Sequence, residues 1–152
     1  MWAVIAVKAQ GNHIDKITSS YMGVKNALAA SNSRLAKTRA IDLLGQLSVT
    51  PKELQPAQQR VYSGIAAKLK GDTRDLIYTA SLNMQRARFQ SLSNDMYTLL
   101  STLKLNTTTV YQQYCPMKKA YWLSESEEIR NPYYGEKMLE CGTVSATLEA
   151  AK

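Results

Sequence analysis

The sequence predicts a mostly α fold, an antiparallel four-helix bundle carrying a small C-terminal β-rich cap. Three observations predict it. Apolar residues recur at a spacing of three and four from about residue 14 to about residue 104, the period of a helix with one buried face. Pro, Gly, Asn and Ser divide that stretch into four segments with short connections, which favour antiparallel neighbours. After Leu105 the chain turns rich in β-branched and aromatic residues and is broken by Pro116, Pro132, Gly135 and Gly142.

The first helix is expected over 14–30, on Ile14, Ile17, Tyr21, Val24 and Leu28. Ser31 or Asn32 then caps a second, marked by Leu35, Ala36, Ile41, Leu43, Leu44 and Leu47. Pro51 and Pro56 mark a loop or helix start. Val61, Ile65 and Leu69 define a third helix that Gly71 stops, and Asp72 caps a long fourth one over 73–104. Its apolar face holds Leu76, Ile77, Met84, Phe89, Leu92, Met96, Leu99 and Leu103. Beyond it, Asn106–Tyr111 reads as a strand leading into Cys115, with further strands near 120–123 and 140–147.

At 152 residues the chain is one domain with room for a real core, and its 45% apolar and 20% charged residues place it among globular proteins. Residues 11–152 are expected to form that domain, with a helical body over about 14–104 and the cap over about 105–147. The formal charge of +7 belongs to the front: residues 1–104 carry 14 basic side chains against 6 acids, and the remainder 5 against 6. These basic residues stand singly, without the clustering or motifs of a nucleic-acid module, so they read as a solvated helical surface. The opening run Met1–Gln10 closes on Val7-Lys8-Ala9, the small-x-small pattern of a signal-peptide end, and mature protein is expected from near Gln10. No segment is long and apolar enough to span a bilayer.

Chemistry concentrates in the last third. Cys115 is followed by Met117, and Met138 precedes Cys141. Thiolate and thioether suit monovalent copper or silver, and the spacing lacks the paired knuckles or histidines of a zinc site. Three readings of the cysteines stand side by side. A disulfide would close a loop of about 27 residues and stabilise it by roughly 3–4 kcal/mol. A soft-metal site would use Cys115, Met117, Met138 and Cys141, with Met84 as a weaker candidate. Two buried thiols packed as small hydrophobes are the third. Met22, Met84 and Met96 fall on apolar helical faces and read as core filler. Tyr121, Trp122, Tyr133 and Tyr134 read as the core of the cap or as a ring whose faces meet a cation. His13 reads as a mobile surface residue, and Glu125, Glu127 and Glu128 as a solvated turn. A lone histidine, no phosphate loop and no dinucleotide fingerprint leave no catalytic arrangement, so no enzyme is expected.

The motifs Cys115-Pro116-Met117, Trp122-Leu123, Ile129-Arg130-Asn131-Pro132-Tyr133-Tyr134-Gly135 and Met138-Leu139-x-Cys141-Gly142 form a long, specific run. With the weaker Tyr21–Ser31 and Gln85-Arg86-x-x-Phe89-x-x-Leu92-Ser93 they cover about residues 14–145, and the chain resembles the bacterial family named domain of unknown function 3347. That family occurs as free-standing exported proteins and as the C-terminal domain of periplasmic adaptor subunits of copper and silver efflux pumps. Where the family often has histidines flanking its Gln-Arg pair, this chain has Met84 and Arg88. The resemblance implies the periplasm or envelope of a Gram-negative bacterium, a copper or silver ion as ligand, and an efflux-system or other envelope protein as partner. A disulfide-stapled interaction module without metal is the alternative.

Overall fold

The computed structural model describes residues 12–79 and 81–151. The expected signal-peptide remnant lies outside the described residues. Four helices, α1 (His13–Ala29), α2 (Ser33–Leu47), α3 (Pro56–Ile77) and α4 (Leu82–Leu103), precede three strands, β1 (Val110–Cys115), β2 (Ala120–Ser124) and β3 (Thr143–Leu148). The molecule is therefore mostly helical, with a small antiparallel sheet at its C-terminal end.

Local chemistry sets most boundaries. The Asn12 side chain takes the Asp15 amide and starts α1, and Asn32 takes the Leu35 amide and starts α2. Pro56 opens α3, where the Gln58 side chain accepts from the Gln55 amide at 2.8 Å. Lys104, in the left-handed region at φ 54°, ends α4.

The expected break at Gly71 does not occur. α3 runs through Gly71 and Asp72 to Ile77 and ends at its C-cap Tyr78. Ser81, whose side chain accepts from the Met84 amide, is the cap of α4. A lone glycine weakens a helix by only about 1 kcal/mol, which the burial of Leu69, Thr73 and Leu76 on the same helix outweighs. The first strand also starts later than expected, at Val110. The side chain of Asn106 instead donates to the carbonyls of Thr108, Leu148 and Glu149, so this stretch is a turn held by side-chain bonds.

Helices adjacent in sequence pack on one another, and β2 lies against both α4 and α1. The strand order is β2-β1-β3, with β1 central and a register shift between Gln112 and Gln113 against β3. β3 is the exposed edge. One continuous core runs from Ile14, Ile17 and Leu43 through Phe89 and Leu92 to Trp122 and Leu123. The cap thus shares the core of the helices.

An aromatic run joins the two parts. Tyr21 stacks on Phe89 at 5.2 Å between centroids, Phe89 meets Tyr133 at 5.9 Å, and Tyr133 meets the edge of Trp122 at 6.1 Å. Such pairs add about 0.5–1.5 kcal/mol each beyond area burial. The Tyr21 hydroxyl lies 2.7 Å from Ser93 Oγ and accepts the Leu123 amide at 2.9 Å, tying α1 to α4 and to β2.

Candidate functional site

Cys115 closes β1, and Cys141 lies two residues before β3. Continuing the Tyr114–Thr143 pairing by one step sets Cys115 beside Gly142. Residues 26 apart in sequence become neighbours because β1 and β3 are antiparallel. Both are free thiols, Cys115 buried and Cys141 half-buried. The two thiols are close enough for Cys115 to bear on the ionisation of Cys141. Burial, and then the neighbouring Cys115, push the Cys141 thiol above its ordinary pKa, which keeps it protonated at neutral pH.

The loop that presents Cys141 is fixed from within. Asn131, fully buried, donates its side-chain Nδ2 to the Cys141 carbonyl at 2.7 Å and accepts the Tyr133 amide at 2.8 Å. Its backbone amide donates to the Leu139 carbonyl. Gly142 has φ +151°, and a Cβ there would stand 2.7 Å from the Trp122 ring and 3.0 Å from the Tyr114 carbonyl oxygen. Only glycine lets the chain pass over Trp122 and enter β3 at this point.

The same loop is clamped to the helices by Arg86. Its Nε donates to the Pro132 carbonyl at 2.7 Å, and one terminal nitrogen donates to the Leu28 carbonyl at 2.8 Å and to Ser31 Oγ at 3.1 Å. Gly135, at φ +56°, passes so close that a Cβ would fall 2.6 Å from that nitrogen. The Gln-Arg motif of the fourth helix and the Asn-Pro-Tyr-Tyr-Gly motif of the loop are thus two halves of one contact.

The thioethers sit differently from the thiols. Met117, 64% exposed, stands in the β1–β2 turn, and Met138 is partly exposed just before Cys141. Met22 and Met96 are buried, as expected of core filler, but Met84 is 54% exposed on the first turn of α4. Met84 is five residues before the buried Phe89, about 140° round the helix, and so lies off the apolar stripe. Among the described residues no three His, Cys, Asp or Glu side chains gather around one point.

Three side chains depart from their sequence reading. The His13 ring is 2.7 Å from the Gln46 carbonyl and its amide donates to Glu53 at 2.5 Å, so it is an anchor between α1 and the end of α2. Glu125 pairs at 2.7 Å with Lys25, whose side chain is 3% exposed and also donates to Ser124 Oγ. Burial lowers the pKa of Lys25, and the carboxylate beside it opposes that shift. Burial, the largest influence, would raise Glu125, but the hydrogen bonds from Lys25, its own backbone amide and Asn26, with the charge of Lys25, together outweigh it and hold the carboxyl below its usual range. Of the aromatic ring, Trp122 and Tyr133 are buried core, and the face of Tyr134 carries Lys118 at 5.2 Å. Lys25 escaped sequence reasoning because a buried cation is written with the same letter as a solvated one, and its place inside an apolar helical repeat is the only signal it leaves. Arg86 was legible as part of the Gln-Arg motif, but its role as a clamp was not.

A groove of about 750 Å³ lies elsewhere, between α1, α2 and the start of β1, and touches neither cysteine. No helix among the described residues is long and apolar enough to cross a membrane. The model of one family, described as a protein of unknown function (DUF3347), matches residues 17–108. The matched region covers the helical body and stops before β1, so the cysteine block lies outside it. No curated protein and no solved structure matches the chain.

Proposed function

The chain belongs to the DUF3347 family of proteins of unknown function, and from that premise we propose that it is a non-enzymatic exported protein that binds or hands on monovalent copper or silver in the envelope of a Gram-negative bacterium. The observation that carries this reading is the pairing of Cys115 and Cys141 in a loop anchored by Asn131 and Gly142. Two soft donors held together by a rigid loop suit a monovalent soft ion, and the ordering cost is met by folding before the ion arrives. Met117 and Met138 are exposed enough to complete the site. In this reading the ion is cargo, and the helices, taken as an antiparallel four-helix bundle, are the rigid base on which the loop rests. An efflux-system or other envelope protein is the partner that takes the ion.

Chemistry sets the pH dependence. The metal binds thiolate, and the raised pKa of Cys141 means that its proton must leave, so affinity rises with pH through neutrality. The test is an anaerobic titration of reduced protein with monovalent copper, combined with thiol alkylation and intact mass on natively purified material. The reading expects two alkylatable thiols, one copper per chain, and a melting temperature that rises with metal. The stabilisation should be about 2.7 kcal/mol at a hundredfold excess over Kd. Replacing Met117 and Met138 together by Leu should weaken binding without lowering metal-free stability. A mass lower by about 2 Da with no copper uptake would mean a disulfide, and the protein would then be a stapled interaction module.

A further inference from the structure

A second site lies on the opposite part of the chain, inside the family-matched region. A groove of about 480 Å³ opens at the start of α2 beside the first turn of α4, lined by Ser33, Arg34, Lys37, Tyr78, Thr79 and Gln85, with Ile77 at its side. We propose that this groove binds a small oxyanion carrying its own hydroxyl donor, the chemistry of hydrogen phosphate and of phosphomonoesters.

Three independent features converge on it. The first is charge. Arg34 falls in the first turn of α2 and Lys37 just beyond it, where the partial positive charge of a helix start disfavours cations by about 0.3–1 kcal/mol each. Neither α2 nor α4 has an acid in its first turn, and no acid lines the groove. The positive potential is left for an anion to neutralise.

The second is an orphaned acceptor. Gln85 is 1% exposed, and its Nε2 donates to the Ser33 carbonyl at 3.1 Å, which fixes the orientation of the amide. Its Oε1 is buried without a partner among the described residues. A buried carbonyl oxygen without a donor costs about 1–3 kcal/mol, so the site asks for a ligand that donates as well as accepts. A bare oxyanion does not satisfy Gln85, whereas one with an O–H does.

The third is the rim. Tyr78 is 85% exposed at the end of α3 and lines the same groove as Arg34 and Lys37. A large aromatic left open beside two cations has no packing role. The end of α3 at Tyr78, in place of the stop expected at Gly71, is what brings Tyr78 and Thr79 to this groove.

Calorimetric titration of the full chain with inorganic phosphate and with sulfate, near neutral pH, tests the proposal. Phosphate keeps an O–H there and sulfate does not, so phosphate should bind at least about tenfold more tightly. The double variant Arg34→Gln/Lys37→Gln changes two exposed side chains and should lose at least about tenfold in phosphate affinity, with a melting temperature no lower than the parent's. Gln85→Met, close in volume, should erase the preference for phosphate over sulfate. If that variant does not fold, the comparison of the two anions on the unaltered chain decides. Sedimentation with vesicles containing phosphatidic acid separates the sources. Binding to these vesicles that the double variant loses places the phosphomonoester on a lipid, and binding of free phosphate alone places it in solution. Equal affinity for phosphate and sulfate, no binding in solution or on vesicles, or full binding by the double variant would overturn the site.

Discussion

Gly142 shows how much one residue decides here. Its φ of +151° and the Trp122 ring below it leave no room for a side chain. Gly142→Ala should therefore destabilise the protein by about 1–3 kcal/mol in urea unfolding. It should also slow the coupling of Cys115 to Cys141 by a mild oxidant, since the loop moves off Trp122. Unchanged stability together with unchanged coupling would mean that the loop is not held as described. Asn131 works on the same loop from the other side, through the Cys141 carbonyl. Sequence alone marks both residues as turn formers, because Asn, Pro and Gly have local preferences. Which carbonyl Asn131 satisfies is set only when distant strands meet.

Among the elements, the boundary between α3 and α4 separates sequence reasoning from the fold. Gly71 followed by Asp72 has the form of a stop and a restart, yet the helix continues because its apolar stripe continues on both sides. A Cβ at Gly71 would meet nothing within 4 Å. Gly71→Ala should stabilise the protein by about 0.5–1 kcal/mol, read as a higher denaturation midpoint at constant slope. A loss of stability would instead place a turn there. The actual break depends on Ser81, a weaker written signal than glycine. The starts of α2 and α3 were legible, since Asn32 and Pro56 act through local bonds alone; Asn12, which caps α1 in the same way, was not singled out.

At the scale of the whole molecule, the packing of α3 against α4 brings Asp72 toward Asp95. Ser91 donates to Asp72 Oδ1 at 2.8 Å, while Oδ2 is buried without a hydrogen-bond donor among the described residues. Burial, and then the Asp95 carboxyl, raise the Asp72 pKa to about 7, with Asp75 adding to the rise. The folded state then keeps a proton that the unfolded chain gives up near pH 4. Stability therefore falls as pH climbs from about 4 to about 7 and levels off above. Asp72→Asn removes the ionising group. The variant should melt higher than the parent at about pH 8 and close to it at about pH 4, by a few degrees at most. A difference that is the same at both pH values would show that Asp72 does not hold this proton.

The sequence by itself determined the four helices, the change to strands after Leu105, the buried faces and the pairing of unusual residues around Cys115 and Cys141. All of these rest on periodicity, local capping or composition, which act over a few residues. Tertiary structure decided the rest. It made Arg86 a clamp on Pro132, buried Lys25 against Glu125, moved Met84 to the surface and left Gln85 Oε1 without a partner among the described residues, on a side chain that lines a cationic groove. The physical reason is the same in each case. Whether a polar side chain is solvated, paired or orphaned depends on what packs over it, and those atoms come from elements roughly 50 to 100 residues away in the chain.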